Sequence, residues 1–352
     1  MGKIKHMANI LFGICRVGKG HLVRSEIAID YLLKQGHKIL IITGGENYSY
    51  LLKKYKNVHD VGGLELDFKN NKISSLGTIL KNIKKISIKN YRLLKKIENE
   101  IIKFSPDYAI TDWEPFTSLI ANKYNITLIS YDNQHYLLYG DYKIKKQDYA
   151  SYLKTKPFLN VLVRKPKYSI ITALPGMKMI PKPNVILINS PLRKEIINSK
   201  PKDGDYLLIY HSIGTDPKIQ EILKKMRIKT IIYGFNANKK IENITLKKFN
   251  EKEFINDLIN CKAVICSAGF TLLSEAIYLK KPILAIPIKE HFEQILNARY
   301  IEENNYGMCA KDFTTESFVS FITQIRNYKT KSYIPGNKEL YVILKKIIKR
   351  EK

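Results

Sequence analysis

Apolar positions fall into short, nearly continuous runs separated by stretches of helical spacing. Residues 9–15 (NILFGIC) predict a buried strand. Residues 24–35 put Ile27, Tyr31 and Leu32 on one face of a helix. Residues 38–43 (KILIIT) predict a second strand, ending at Gly44 and Gly45. Further strands are expected at 108–111, 127–131, 169–172 and 185–188. Strands alternating with helices across short loops imply a parallel sheet covered on both faces.

Near residue 194 the chain turns polar, and 194–205 (KEIINSKPKDGD) reads as a linker. A second series follows, with strands at 206–210, 230–233, 263–266 and 283–286 and helices at 217–226, 253–260 and 271–279. Residues 337–352 read as a basic amphipathic helix that could pack back on the first half. The expected fold is α/β, with two doubly wound Rossmann-like domains and a cleft between them. They are residues 1–193 and 194–330, followed by a C-terminal basic helix at 331–352, and a length of 352 residues suits this division.

Composition narrows the classes. Sixty Lys and Arg oppose 32 Asp and Glu, a net +28, which predicts an anionic partner: nucleic acid, an acidic membrane surface or a phosphorylated substrate. Cys15, Cys261, Cys266 and Cys309 form no CxxC pair, which argues against a zinc site or disulfide framework and for a reducing compartment. No apolar run reaches the roughly 18–20 residues of a membrane span, and no signal peptide is read at the N-terminus.

Six motifs stand at expected strand ends. The first, Val17-Gly18-Lys19-Gly20-His21-Leu22-Val23-Arg24, follows the first strand and opens a helix. Gly18 and Gly20 permit a tight turn and close approach to a ligand, and the helix start favours negative charge. The third glycine of a dinucleotide fingerprint is absent and no acid follows the second strand, so a nicotinamide site is disfavoured. His21 is a candidate general base, or a cap of its own helix. In the second motif, Cys266 to Glu275, Ser267, Ala268 and Gly269 form a small-residue loop suited to phosphate, and Glu275 could accept from ribose hydroxyls or simply suit the helix dipole.

The third motif, Pro287 to Ala298, offers Glu293 and Gln294 to sugar hydroxyls or presents a solvated helix start. The fourth, Tyr210-His211-Ser212-Ile213-Gly214, is a candidate phosphate loop at Ser212 and Gly214. The fifth, Asn189-Ser190-Pro191-Leu192-Arg193, offers Arg193 to a diphosphate, whose oxygens its fork geometry suits. The sixth pairs Thr111-Asp112-Trp113-Glu114-Pro115 with Tyr131-Asp132-Asn133-Gln134-His135, which bring acids to the carboxyl edge where open α/β sheets bind ligands.

In this order the motifs resemble those of GT-B glycosyltransferases, most of all the MurG-type N-acetylglucosaminyltransferases of family 28 that use UDP-sugars. The resemblance covers roughly residues 9–307 and is strongest over 263–298, where CSAGFTLLSEAIYLKKPILAIP is followed by HFEQILNA. It implies a donor site at Arg193, Ser212, Gly214, Phe249, Asn250, Ser267, Ala268, Gly269, Glu275, Glu293 and Gln294, with Phe249 and Asn250 at the nucleobase. It implies an acceptor side at the loop of Gly18, Gly20 and Arg24, and the strand-end residues Asp132, Asn133 and His135 are expected on the same side. His21, or alternatively Asp112 or Glu114, would be the base. The loop reads GKGHLVR where the family has a GGTGGH form, and YHSIG stands where the family has GGSQG, which marks a divergent subgroup.

The resemblance implies inverting, metal-independent transfer from a UDP-sugar, UDP-N-acetylglucosamine first, to a lipid-linked or cell-surface glycan, with no cofactor beyond the donor. Two other readings are a UDP-sugar epimerase or hydrolase of the same fold, and a non-catalytic basic protein on nucleic acid or membrane. Residues 1–190 carry 31 basic and 14 acidic side chains, and 69–96 carry nine basic ones and no acid, interleaved with Ile and Leu. That stretch suits a surface helix near anionic lipid or the solvated face of a packed helix. It has one aromatic, Tyr91, so nucleic acid is not the expected partner. The expected location is cytoplasmic, peripheral on the inner face of the cell membrane if the basic surface docks there.

Overall fold

A computed structural model describes residues 7–62, 68–69, 72–73, 88–210, 217–328 and 333–350. Ser212, Gly214 and most of the basic stretch 69–96 lie outside the described residues. The chain divides into two compact units, Met1–Pro191 with Pro335–Lys352, and Leu192–Ile334.

The first unit holds a parallel sheet of seven strands: β1 (Asn9–Ile14), β2 (Lys38–Thr43), β3 (Val58–Asp60), β4 (Tyr108–Asp112), β5 (Thr127–Asp132), β6 (Tyr168–Ala173) and β7 (Val185–Asn189). Their order is β3-β2-β1-β4-β5-β6-β7. Strand periodicity sorts β1 between two cores. Ile10, Phe12 and Ile14 face helix α1 (Lys19–Lys34), through Leu22, Ala28, Ile29 and Leu32. Leu11 faces the opposite layer with Leu40, Ile42, Ile101 and Ile120. Gly13 pairs with Thr111, and a Cβ on it would lie 1.8 Å from Thr117 Oγ1. Only glycine lets helix α2 (Pro115–Lys123) lie this close to β1.

The second unit holds β8 (Leu207–Tyr210), β9 (Thr230–Tyr233), β10 (Lys239–Ile241), β11 (Ile244–Lys247), β12 (Ala263–Cys266), β13 (Ile283–Ala285) and β14 (Gly307–Cys309). They are ordered β10-β11-β9-β8-β12-β13-β14, parallel except for the β10–β11 hairpin. Helices α3 (Glu251–Asn260), α4 (Phe270–Tyr278) and α5 (Phe292–Glu303) follow β11, β12 and β13. In each sheet the chain reverses its direction of travel once, beside β1 and β4 in the first and beside β8 and β12 in the second. The loops leaving those strand ends diverge and open a ligand crevice.

The structure differs from the sequence reading in three places. Strands β3, β10, β11 and β14 were not anticipated, since three or four residues of mixed polarity carry too little periodicity. The polar stretch after Arg193 opens with a short helix, Lys194–Ile197, anchored by the buried Ile196. The division between units falls after Pro191, not after Arg193, and the terminal segment is not separate. Helix α6 (Asn337–Arg350) buries Leu340, Leu344 and Ile347 in the first unit's core. Tyr31 stacks on Tyr341 at 4.1 Å, and Tyr108 Oη donates to the Ile348 carbonyl at 2.9 Å.

Candidate functional site

In the first unit the site grows from two strand ends. β1 ends at Ile14 and α1 begins behind Gly18, whose φ of 94° is open to glycine at little cost. No side chain caps α1. His21 is thus free of the capping role and reaches the end of β4, where its Nδ1 lies 2.6 Å from Asp112 Oδ1. Gly20 lies in the same first turn of the helix, and Ser25 and Arg24 come from the next.

Asp112 is fully buried and its two oxygens are shared out. Oδ1 takes His21 and Arg24 Nη2 (2.6 Å), and Oδ2 takes Arg24 Nε and Ser25 Oγ (both 3.0 Å). Arg24 also donates to Asn133 Oδ1 at 2.6 Å. Burial opposes the guanidinium charge, but the Asp112 carboxylate outweighs it and holds Arg24 above the usual arginine range. Because a carboxylate only accepts, Nδ1 of His21 must carry the proton and its 3.1 Å approach to Arg24 Nη2 is not a hydrogen bond. The lone pair then sits on Nε2, where the Gln134 amide donates at 3.3 Å. The His21 side chain is 13% exposed, and a hydroxyl that takes the place of the long Gln134 contact would meet the Nε2 lone pair. Asp112 fixes the tautomer and stabilises the imidazolium that would form.

Several expected site residues are engaged with protein partners. Glu114 is not placed as a base. It caps α2, accepting from the Phe116 and Thr117 amides at 3.0 and 2.6 Å and from Thr117 Oγ1 at 2.6 Å, and burial holds its carboxyl above the usual range against those bonds. Arg24, expected on the acceptor, is buried and committed to Asp112 and Asn133. Asp132 and His135 bond to each other, Oδ2 to Nδ1 at 2.7 Å, while Asp132 Oδ1 accepts the His135 amide at 2.9 Å. Burial alone would raise Asp132, but His135 and Ser130 bring it down to about 2.

In the second unit Arg193 and Glu275 meet directly. Arg193 Nε donates to Glu275 Oε1 at 2.6 Å and Nη1 to Glu251 at 2.8 Å. Both expected donor contacts are therefore partly spent on each other. Burial raises the Glu275 carboxyl although Arg193 opposes it. Glu275 Oε2 has no partner among the described residues and is the oxygen left to accept a hydroxyl. Ser267, Ala268 and Gly269 link β12 to α4. Ala268 takes a φ of 60° with its carbonyl held by Asn297 Nδ2 at 3.2 Å, and Gly269 starts α4 with no side-chain cap. The start of α4 therefore carries no side-chain cap from Gly269, and a helix N-terminus of this kind favours an anion.

Gln294 Oε1 accepts the Ile288 amide at 2.9 Å, which fixes the side chain and leaves its Nε2 to donate. Glu293 lies in the first turn of α5. Phe249 is 42% exposed beside Tyr210, Tyr233 and Phe254, and Asn250 caps α3 by accepting from the Glu253 amide at 3.1 Å. Sequence reasoning missed Ser25, Glu251 and Gly13. Ser25 and Glu251 carried no motif signal. Gly13, lone within an apolar strand run, marked a close backbone approach.

The family model for glycosyl transferase family 1 matches residues 8–326. A UDP-N-acetylglucosamine--N-acetylmuramyl-(pentapeptide) pyrophosphoryl-undecaprenol N-acetylglucosamine transferase of Clostridium botulinum is 25% identical over 198 residues, 49% of this chain and 53% of that protein. A Bacillus cereus transferase of the same description, numbered 3, is 28% identical over 120 residues, 30% of this chain and 34% of that protein. The chain thus spans about half the length, or less, of these curated relatives. Among solved structures, a UDP-glucosyltransferase from Polygonum tinctorium superposes with a TM-score of 0.67 at 11% identity, over 98% of this chain and all of that one. The calicheamicin glycosyltransferase CalG4 gives 0.62 at 14%, over 97% and 94%. At such identities the likeness shows the GT-B fold alone. With the family model matched along nearly the whole sequence, the chain belongs to glycosyl transferase family 1.

Proposed function

We propose that this protein transfers a sugar from a UDP-sugar, N-acetylglucosamine first among the candidates, to a hydroxyl of a lipid-linked or cell-surface glycan. The observation that carries the reading is the His21–Asp112 pair, which puts the acceptor lone pair on Nε2, where an acceptor hydroxyl would replace the 3.3 Å contact of the Gln134 amide. His21 Nε2 takes the acceptor proton as the acceptor oxygen bonds to the anomeric carbon. The bond from that carbon to the diphosphate oxygen breaks, and UDP leaves with the charge. Direct displacement inverts the anomeric centre. The α4 amides behind Ser267–Gly269 suit the diphosphate, Glu275 Oε2 suits a ribose hydroxyl, and Glu293 and Gln294 Nε2 suit the sugar.

A thermal-shift panel of UDP, TDP and their sugars tests donor choice, since a ligand bound to the native state raises the melting temperature. No shift with any UDP compound would end the transferase reading. UDP release without any acceptor, at the full rate, would favour a hydrolase or epimerase.

The same reading places the protein at an anionic membrane. No helix among the described residues is long and apolar enough to cross a membrane. The helix Tyr149–Leu162 does show Tyr149, Leu153, Pro157 and Val161 at every fourth position, all exposed, beside the exposed Lys154 and Lys156. An apolar ridge edged by lysines suits a phospholipid surface. Flotation with anionic but not zwitterionic liposomes, lost in Leu153→Glu/Val161→Glu, is expected; equal flotation of the variant would refute it.

A further inference from the structure

The Asp132–His135 pair opens on a cavity of about 620 Å³ in the first unit, apart from the His21 group. Successive residues divide the two: Asn133 and Gln134 serve Arg24 and His21, whereas His135 turns the other way and lines the cavity. Its ring lies edge-on to Trp113 at 6.0 Å and stacks on Tyr139 at 6.3 Å, which holds its orientation. Nδ1 is bound to Asp132, so the atom presented to the cavity is Nε2, which has no partner among the described residues although His135 is only 2% exposed. Ser169 stands beside it, because β5 and β6 pair Ser130 with Ser169 in register and Ser130 Oγ lies 3.2 Å from His135 Nδ1. Ser169 Oγ also has no partner among the described residues and its side chain is equally buried.

The mouth is cationic. Arg164, Lys165, Lys167 and Lys182 line it, and no acidic residue does. Lys182 Nζ sits 4.8 Å over the Tyr139 ring, which steers the ammonium to the rim. Within the first unit, residues 149–191 hold seven basic side chains and no acid. His135 Nε2 and Ser169 Oγ are polar groups facing this cavity without a protein partner among the described residues, and two such groups beneath the cations of its rim suit a ligand with several anionic oxygens.

We propose that this cavity is a binding site for a phosphate monoester, held at its floor by His135 Nε2 and Ser169 Oγ and at its rim by Arg164, Lys165 and Lys182. With Nδ1 turned to Asp132, Nε2 is the ring atom left to the ligand, and it donates to a phosphate dianion when the imidazole is protonated. A monoester monoanion fits as well, its own O–H donating to a neutral Nε2. The site is independent of the donor reading, because none of its residues belongs to the nucleotide group.

The test titrates the full chain, with UDP saturating, against inorganic phosphate, phenyl phosphate and dodecyl phosphate. Binding is read by calorimetry and by the imidazole NMR signals of His135. Phosphate probes are expected to release heat and move the His135 signals. Ser169→Ala and Lys182→Glu, checked for native circular dichroism, should each weaken phenyl phosphate by about tenfold or more, as expected for a lost bond to a charged group. A clear preference for dodecyl phosphate identifies a lipid headgroup as the source, and equal binding of all three identifies a free phosphate. Unmoved His135 signals at millimolar probe, or unchanged affinity in both variants, would overturn the site. UDP binding would survive that result, and loss of UDP binding would leave the phosphate site standing.

Discussion

Replacing Asp112 by Asn separates chemistry from stability. The substitution keeps shape but removes the charge that four donors share: His21 and Arg24 Nη2 at 2.6 Å, and Arg24 Nε and Ser25 at 3.0 Å. Arg24 is 3% exposed and would keep Asn133 and the distant Thr172 as partners, with no counter-charge. Removing one member of a buried ion pair costs about 3–5 kcal/mol, a large share of the roughly 5–15 kcal/mol that holds a domain. His21 would also lose the anion that fixes its tautomer, and turnover should fall about 10³- to 10⁴-fold with the donor KM nearly unchanged. Adding Arg24→Gln to Asp112→Asn removes the orphaned guanidinium. The double variant should regain most of the stability and none of the activity. Urea unfolding and initial rates with a working donor and acceptor pair measure both. Turnover within a few-fold of wild type in the single variant, or activity returning with stability in the double, would refute the dyad.

Four further outcomes follow from the same geometry. Arg193→Ala leaves the fully buried Glu275 without its cation and should cost about 3–5 kcal/mol in urea unfolding of the second unit. Glu275→Gln keeps an acceptor but loses the charge, and should weaken UDP by about tenfold in calorimetry while 2′-deoxy-UDP and 3′-deoxy-UDP, between them, reveal which hydroxyl it meets. Asp132 titrates lower when folded, at about 2, than its ordinary 3.8, so its contribution is present above about pH 4 and is lost as pH falls toward 2. That contribution is about 2 kcal/mol, and Asp132→Asn should flatten the acid limb of a stability-against-pH curve by this amount. Gly13→Ala drives a Cβ into Thr117 and against Glu114, so α2 must shift, and a loss of about 1–3 kcal/mol is expected from thermal unfolding.

How much of this was legible beforehand depended on the range of the interaction. The long strands and helices announced themselves through local periodicity. β3, β10, β11 and β14 did not, because they are short and mix polar with apolar residues, so their pairing comes from a neighbouring strand. The motif residues at strand ends were legible for a related reason, since a parallel sheet delivers every carboxyl end to one edge. Their roles were not. Glu114 and Asp112 are two residues apart and both carboxylic acids, yet one caps a helix and the other carries His21.

The sequence by itself determined the class of fold, the two α/β series, the edge at which polar residues gather and the family resemblance, all of which rest on periodicity and short-range spacing. Only the tertiary structure decided which groups became partners. His21 meets Asp112 from 91 positions away, and Arg193 meets Glu275 from 82. It also put α6 into the first unit, where Tyr108 reaches the Ile348 carbonyl 240 residues on. A charge's function in a protein is set by what lies within a few ångströms of it, and no local pattern encodes contacts across such separations.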